Sequence, residues 1–393
     1  MIKCGILLFL LAFCLGAIAD NNDIHTVRRM IDSVGKKYAP DKRTALFDVS
    51  STEQAGQIVL KGRTNLPEAK KEMLDSLSML KISFSDSIIV LPDQSVGENI
   101  WALATLSVAN IRSAPDHTAE LVSQAVMGTP VKVLEVADNW YHIQTPDLYI
   151  GWVEESGIAP KTEAEMTSWN YSKRYIFNQM AGNALSAPKK NAPPVSDLVL
   201  GDLFELVSQT KRYLHIQFPD GRRGFVKRSD CLPYEQWIAQ KPDVDAILAI
   251  ARELLGSSYL WGGTSSKGVD CSGMVKMAWF SQGVILARDA SQQARYGKPV
   301  DFTAIGNLQK GDLLFFGRNA NRITHVGIYM GNGLYIHASG MVRINSIDST
   351  DPLYNITERK SLVGATRIEK GEGIVGVKEH GWYQGKWQEK VRK

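Results

Sequence analysis

Residues 259–280 read YLWGGTSSKGVDCSGMVKMAWF. The first half is a loop built from Gly262, Gly263 and Gly268 with Thr264, Ser265, Ser266 and Lys267 between them. From Met274 onward the apolar residues Met274, Val275, Ala278, Trp279 and Phe280 recur at helical spacing, so a buried helix is predicted with Cys271 in its first turn. Unpaired N–H groups and the positive end of the macrodipole gather at a helix start, which favours a thiolate and can also face an oxyanion. Cys271 is therefore a candidate nucleophile.

A thiolate needs an acid/base partner. Residues 323–339 read ITHVGIYMGNGLYIHAS, a hairpin signal. Strand alternation puts Val326, Ile328, Met330, Leu334, Ile336 and Ala338 on one face and His325, Tyr329, Tyr335, His337 and Ser339 on the other. For these faces to agree across the ladder the loop must hold an odd number of residues, and Gly331-Asn332-Gly333 supplies three. Gly327 then lies opposite His337, and the two histidines are diagonal neighbours. One can face the thiolate while the other orients it. Three rivals stand beside this reading: Cys271 as inert core, a zinc site made of Cys271, His325 and His337, and histidines that only cap strands. The zinc reading lacks a His-x-x-x-His pair.

Tyr-x-Trp-Gly-Gly from Tyr259, Asp-Cys-Ser-Gly from Asp270, His-Val-Gly-Ile-Tyr from His325 and Ile-His-Ala from Ile336 stand in an order that resembles the NlpC-type bacterial cell-wall cysteine peptidases. The resemblance covers about Asp245 to Arg367. It implies a papain-like α+β catalytic domain with Cys271 as nucleophile, His325 as base and His337 as the orienting residue. It further implies that Tyr259 lies near the oxyanion, that Trp261 is on the substrate side, and that neither metal nor cofactor is needed.

Upstream lies a repeat at a constant offset of 73 residues: Ser113-Ala114-Pro115 returns as Ser186-Ala187-Pro188, Tyr141-His142-Ile143-Gln144 as Leu214-His215-Ile216-Gln217, and Gly151-Trp152-Val153 as Gly224-Phe225-Val226. The runs are short, β-rich and turn-bounded. Each copy resembles a bacterial SH3 domain, and two copies are too few for a solenoid. Trp101, Tyr149 and Trp152 could wall a ligand or fill a core, and His142 and His215 read as structural. With such domains ahead of the catalytic segment, the chain is similar to the γ-D-glutamyl-L-diamino-acid endopeptidases of the family, which act on murein peptides with a free N-terminal L-Ala. That likeness implies Asp270, Ser272 and Asp289 as carriers of the substrate ammonium, beside Arg288, with Glu120 and Tyr149 of the first copy walling the same pocket. The rival for Asp289 is a helix cap or an ion pair with Arg288.

The organisation expected is α+β and multidomain. A signal peptide (1–19) precedes a small α+β domain (20–96), the first SH3-like domain (97–160) and the second with its linker (161–233). The catalytic domain (240–370) and a tail (371–393) follow. The first segment joins Lys3 to an apolar run ending in Ala17-Ile18-Ala19, the pattern of an export signal, with a lipid anchor at Cys14 as its rival. Cleavage before Asp20 leaves Cys231 and Cys271, with Cys231 a buried apolar residue. The tail residues Trp382, Tyr383, Trp387, Lys390, Arg392 and Lys393 either pack on the body or meet anionic wall polymer. Lys plus Arg number 45 against 41 acidic residues, interspersed, so nucleic acid is not an expected partner. The expected partner is the murein stem peptide. A periplasmic or extracellular monomer with no transmembrane span is expected. Cutting intact wall, with the SH3-like copies as anchors, is the rival activity, and silent wall binding is the rival of a different class.

Overall fold

A computed structural model describes residues 21–369 and 374–386. The segment expected to be an export signal, with Cys4 and Cys14, and Trp387 with the basic residues after it, lie outside the described residues. The chain divides into two compact units at Asp93/Gln94.

In the first unit, Ile24, Val27, Ile31 and Val34 recur along the helix Asn21–Tyr38, and Ala69, Met73 and Leu77 along the helix Pro67–Met79. Both rows are buried in one core with Ile58, Leu60 and Ile88 of a three-stranded sheet. Ala55 and Gly56, both at positive φ, turn the strand Phe47–Gln54 into its antiparallel neighbour Gln57–Thr64. The second helix then crosses over to the parallel strand Phe84–Val90.

The repeat governs the start of the second unit. Seven strands begin at Trp101, Val108, Leu121, Pro130, Trp140, Ile150 and Ile158, and seven more at Arg174, Ala181, Pro194, Leu203, Tyr213, Arg223 and Cys231. Every strand of the second set starts 73 residues after its counterpart. The two antiparallel sheets have the same strand order, each around its own apolar cluster. They meet where Asp202, fully buried, accepts from the N–H groups of Met127 and Val199 at 3.0 and 2.8 Å. Trp101 is core: it is 2% exposed and packs edge-on against Trp382 of the tail. Tyr383 is buried in the same cluster, so this part of the tail packs on the body. Cys231 is a free, buried thiol.

The catalytic segment is a six-stranded antiparallel sheet in the order Lys298–Pro299, Leu362–Arg367, Leu313–Asn319, Arg322–Gly331, Leu334–Ser339, Met341–Ser346. The helix Cys271–Phe280 packs on the face made by Val326, Ile328, Met330, Ile336 and Ala338. Gly327 pairs with His337 as expected, but the turn differs. It holds two residues, Asn332 and Gly333, both at positive φ, and the register shifts at a bulge between Tyr329 and Gly331. The bulge supplies the odd residue that the alternation requires, because a two-residue turn with positive φ matches the strand twist. No helix among the described residues is long and apolar enough to cross a membrane.

Candidate active site

The Cys271 helix begins where the loop before it forces it to begin. The Asp270 carboxylate caps it, accepting from the Gly273 N–H at 2.7 Å, and also accepts from the Gly262 N–H at 3.0 Å. Two of the motif glycines are required by close approach. A Cβ on Gly273 would lie 1.9 Å from the Gly263 carbonyl oxygen, and one on Gly262 would lie 2.2 Å from that of Leu121 in the first SH3-like copy.

Cys271 is 6% exposed, with the main-chain N–H groups of Val326 and Ser272 directed at its sulfur and the Tyr259 hydroxyl against it. Burial and then the Asp270 charge push the thiol up to about 11, outweighing those N–H groups and Arg288. The cap that starts the helix also places a negative charge beside the thiol, which works against the thiolate that the helix start favours. Burial, and after it His337, lowers His325 to about 3. One cause, the lack of water, acts against the charged form of each.

His325 and His337 share a face, with His325 Nε2 2.8 Å from His337 Nδ1. His337 is wholly buried. Its Nε2 lies 2.9 Å from Asn345 Oδ1 and 3.7 Å from the Glu358 carboxylate. The sequence reading missed Asn345 and Glu358, since Asn345 pairs with Tyr335 across a strand and Glu358 sits on a separate short helix, Ile356–Ser361. Among the described residues, no three His, Cys, Asp or Glu side chains are grouped as a metal site requires.

The residues expected to hold an ammonium separate into two sets. Asp270 receives Arg288 Nη1 at 3.1 Å and Nη2 at 2.5 Å, the Ser272 hydroxyl at 3.2 Å, and the two N–H groups already named. A carboxylate has about four lone-pair positions, so Asp270 is saturated and its assignment to the ammonium is withdrawn. Arg288 itself is 1% exposed, donates also to Ser272 Oγ at 3.0 Å and to the Val122 carbonyl at 3.0 Å, and so ties the Cys271 helix to the first SH3-like copy. Asp289 caps the helix Ala290–Gln293 in a capping box with Gln292, and its carboxylate is 3.9 Å from Arg288. Its side chain keeps 28% exposure, against 1% for Arg288.

The first copy closes on the catalytic segment through side chains far apart in sequence. Trp261 Nε1 donates to Glu120 at 2.7 Å. Gln124 Oε1 accepts from the Thr264 N–H at 2.9 Å and the Ser265 hydroxyl at 3.0 Å. Asp147 is paired with Lys276 of the Cys271 helix, the Asp147 side chain being 3% exposed and that of Lys276 18%. Tyr149 is buried close enough to Arg288 to act on its charge. The one sequence signal for the Asp147 pair was Lys276 itself, a charge inside an apolar helix. His142 is structural, stacked on Trp152 at 4.4 Å and bonded to Glu135 at 2.8 Å; His215 stacks on Phe225 at 4.6 Å.

Residues 256–363 match the profile of the NlpC/P60 family, and residues 111–158 match that of the bacterial dipeptidyl-peptidase SH3 domain. A dipeptidyl-peptidase 6 from Lysinibacillus sphaericus is 31% identical over 263 residues, covering 64% of this chain and 94% of that protein. A gamma-D-glutamyl-L-lysine dipeptidyl-peptidase from Bacillus cereus is 27% identical over 298 residues, 68% of this chain and 84% of that protein. The crystal structure of an NlpC/P60 family protein from Bacillus cereus superposes with a TM-score of 0.60 at 22% identity, covering 68% of this chain and 99% of that one, a likeness of fold.

Proposed function

The chain belongs to the NlpC/P60 family of cysteine peptidases, and from that premise we propose that it hydrolyses the γ-D-glutamyl bond to the diamino acid in murein peptides with a free N-terminal L-Ala. Cys271 is the nucleophile and His325 the base. The proton on Sγ passes to His325 as the sulfur attacks the γ-carbonyl carbon. The same proton then goes to the departing amine of the diamino acid, leaving a thioester. Water, deprotonated by His325, releases the dipeptide and restores the thiol. Burial disfavours charge on both the thiol and the imidazole, and Tyr259 and the helix-start N–H groups can face the oxyanion as the bond forms. His337 holds the imidazole in place.

The observation that supports the specificity is the packing of the first SH3-like copy against the segment that holds Cys271, with Glu120 on Trp261 and Tyr149 near Arg288. Glu120, Tyr149, Ser272 and Asp289 form the wall for the ammonium, Asp270 being committed to Arg288. A site built around a required charge rejects ligands that lack it, since its carboxylates are stranded on binding. An exported enzyme acting on released peptides fits this wall better than one cutting strands still attached to sugar. Mass spectrometry of products from free tripeptide, N-acetylated tripeptide, sugar-linked peptide and whole sacculi tests this. Rapid cleavage of the first alone is expected; comparable rates on all four would assign the activity to wall lysis.

A further inference from the structure

We propose that Asn345, with Glu358 behind it, is a positioning residue that fixes which ring nitrogen of His325 carries the proton; this rests on the assignment of Cys271 and His325 as nucleophile and base. A neutral imidazole has one N–H and one lone pair, and only its neighbours decide which nitrogen has which. At the outer end, Asn345 Nδ2 donates to the main-chain carbonyl of Leu353 at 3.1 Å. A carbonyl can only accept, so turning the amide over would set oxygen against oxygen. Asn345 Oδ1 therefore faces His337 Nε2 at 2.9 Å, and because Oδ1 can only accept, His337 Nε2 carries the hydrogen. His337 Nδ1 is then a lone pair and accepts from His325 Nε2 at 2.8 Å. What remains on His325 is an unprotonated Nδ1, the atom that can take a proton from a thiol. Without Asn345 both rings can invert together, and Nδ1 of His325 becomes an N–H that takes up nothing.

Glu358 adds charge to this order. Its carboxylate lies 3.7 Å from His337 Nε2 and is held by the Tyr335 hydroxyl. The charged and titratable groups facing His337 are His325 on one neighbouring strand, Arg343 opposite it on the other, Tyr335 on its own strand and Glu358 on the covering helix. Glu358 thus offsets the positive charge that forms on the pair when His325 accepts a proton, against Arg343.

The test combines ¹⁵N spectra of the histidine rings, read without substrate, with kcat and KM against pH for N345L, N345D and E358Q. In the unsubstituted enzyme both rings should be Nε2–H. N345L should mix the tautomers and lower kcat on the order of 100-fold with KM little changed. N345D keeps an acceptor at the same place, so it should restore most of kcat and move the acidic limb of the profile upward. A merely structural amide would be harmed by Asp, which sets a second oxygen against Leu353, as much as by Leu. E358Q keeps the Tyr335 bond and should move the acidic limb downward. An Nδ1–H tautomer on His337 in the unsubstituted enzyme, wild-type kcat in N345L, or N345D no better than N345L overturns the proposal. Should N345L not fold, N345D and E358Q still decide it. C271A and H325A, assayed in parallel, separate the premise: turnover in either overturns the site assignment, whereas the tautomers are read independently of turnover.

Discussion

The two SH3-like copies have the same seven strands in the same order, yet they hold different surfaces toward the rest of the chain. At equivalent positions, Glu120 and Tyr149 of the first copy correspond to Pro193 and Arg222 of the second, and Glu135 to Ser208. Asp147 forms a buried pair with Lys276, whereas its counterpart Asp220 pairs with Arg222 at the surface. Gln124 bonds to Thr264 and Ser265, while its counterpart Asp197 takes Lys267 at 2.7 Å and Ser107 at 2.8 Å. A duplicated scaffold has kept its ladder, which the backbone dictates. Only the first copy sends Glu120 to Trp261 and Gln124 to the loop before Cys271.

The largest effect falls on the chemistry that both copies surround. Cys271→Ala should lower turnover of the free tripeptide by roughly 10⁴-fold or more, with Tm close to that of the parent, measured by product formation and calorimetry. Retained turnover would remove the reason for comparing the copies by what they bring to the cleft. Next in size is specificity. Glu120→Ala should reduce kcat/KM for the free tripeptide by about 10- to 100-fold and narrow the gap to the N-acetylated peptide. Arg222→Ala, at the second copy's position for Tyr149, should leave both rates unchanged. Equal losses in the two variants would show that the copies share the binding surface.

Stability draws the same contrast. Asp147→Ala strands Lys276 in a buried place and should cost about 3–5 kcal/mol in chemical unfolding, whereas Asp220→Ala breaks an exposed pair and should cost about 1 kcal/mol or less. A smaller effect lies in pH. Burial holds His325 near 3 in the folded chain, so between about 6.5 and 3 the unfolded chain binds more protons there. That part of the stability is present above the unfolded pKa and is lost as pH falls through this window. His337 is lowered in the same direction. His325→Ala should therefore flatten the decline of Tm with acidification by about one proton's share, measured by calorimetry across that window.

Much of this architecture is written in local sequence. The Cys271 helix follows from a cap, a glycine loop and an apolar row within about 20 residues, and the histidine face from strand alternation over a single hairpin. The constant offset of the repeat sets every strand of the second copy. Such features depend on neighbours along the chain, so their causes can be read in order. What the sequence left open depends on segments that meet only after folding. The tight turn at Asn332 and Gly333 moved the odd residue into a bulge. Asp270 looked free for a ligand because nothing in Asp-Cys-Ser-Gly shows that Arg288, 18 residues on, will arrive with two N–H groups. Asn345 and Glu358 had no motif, and their place behind His337 exists only because a third strand and a short helix close over it. A buried polar atom must find a partner, but sequence does not say which of many will reach it; three-dimensional distance makes that choice.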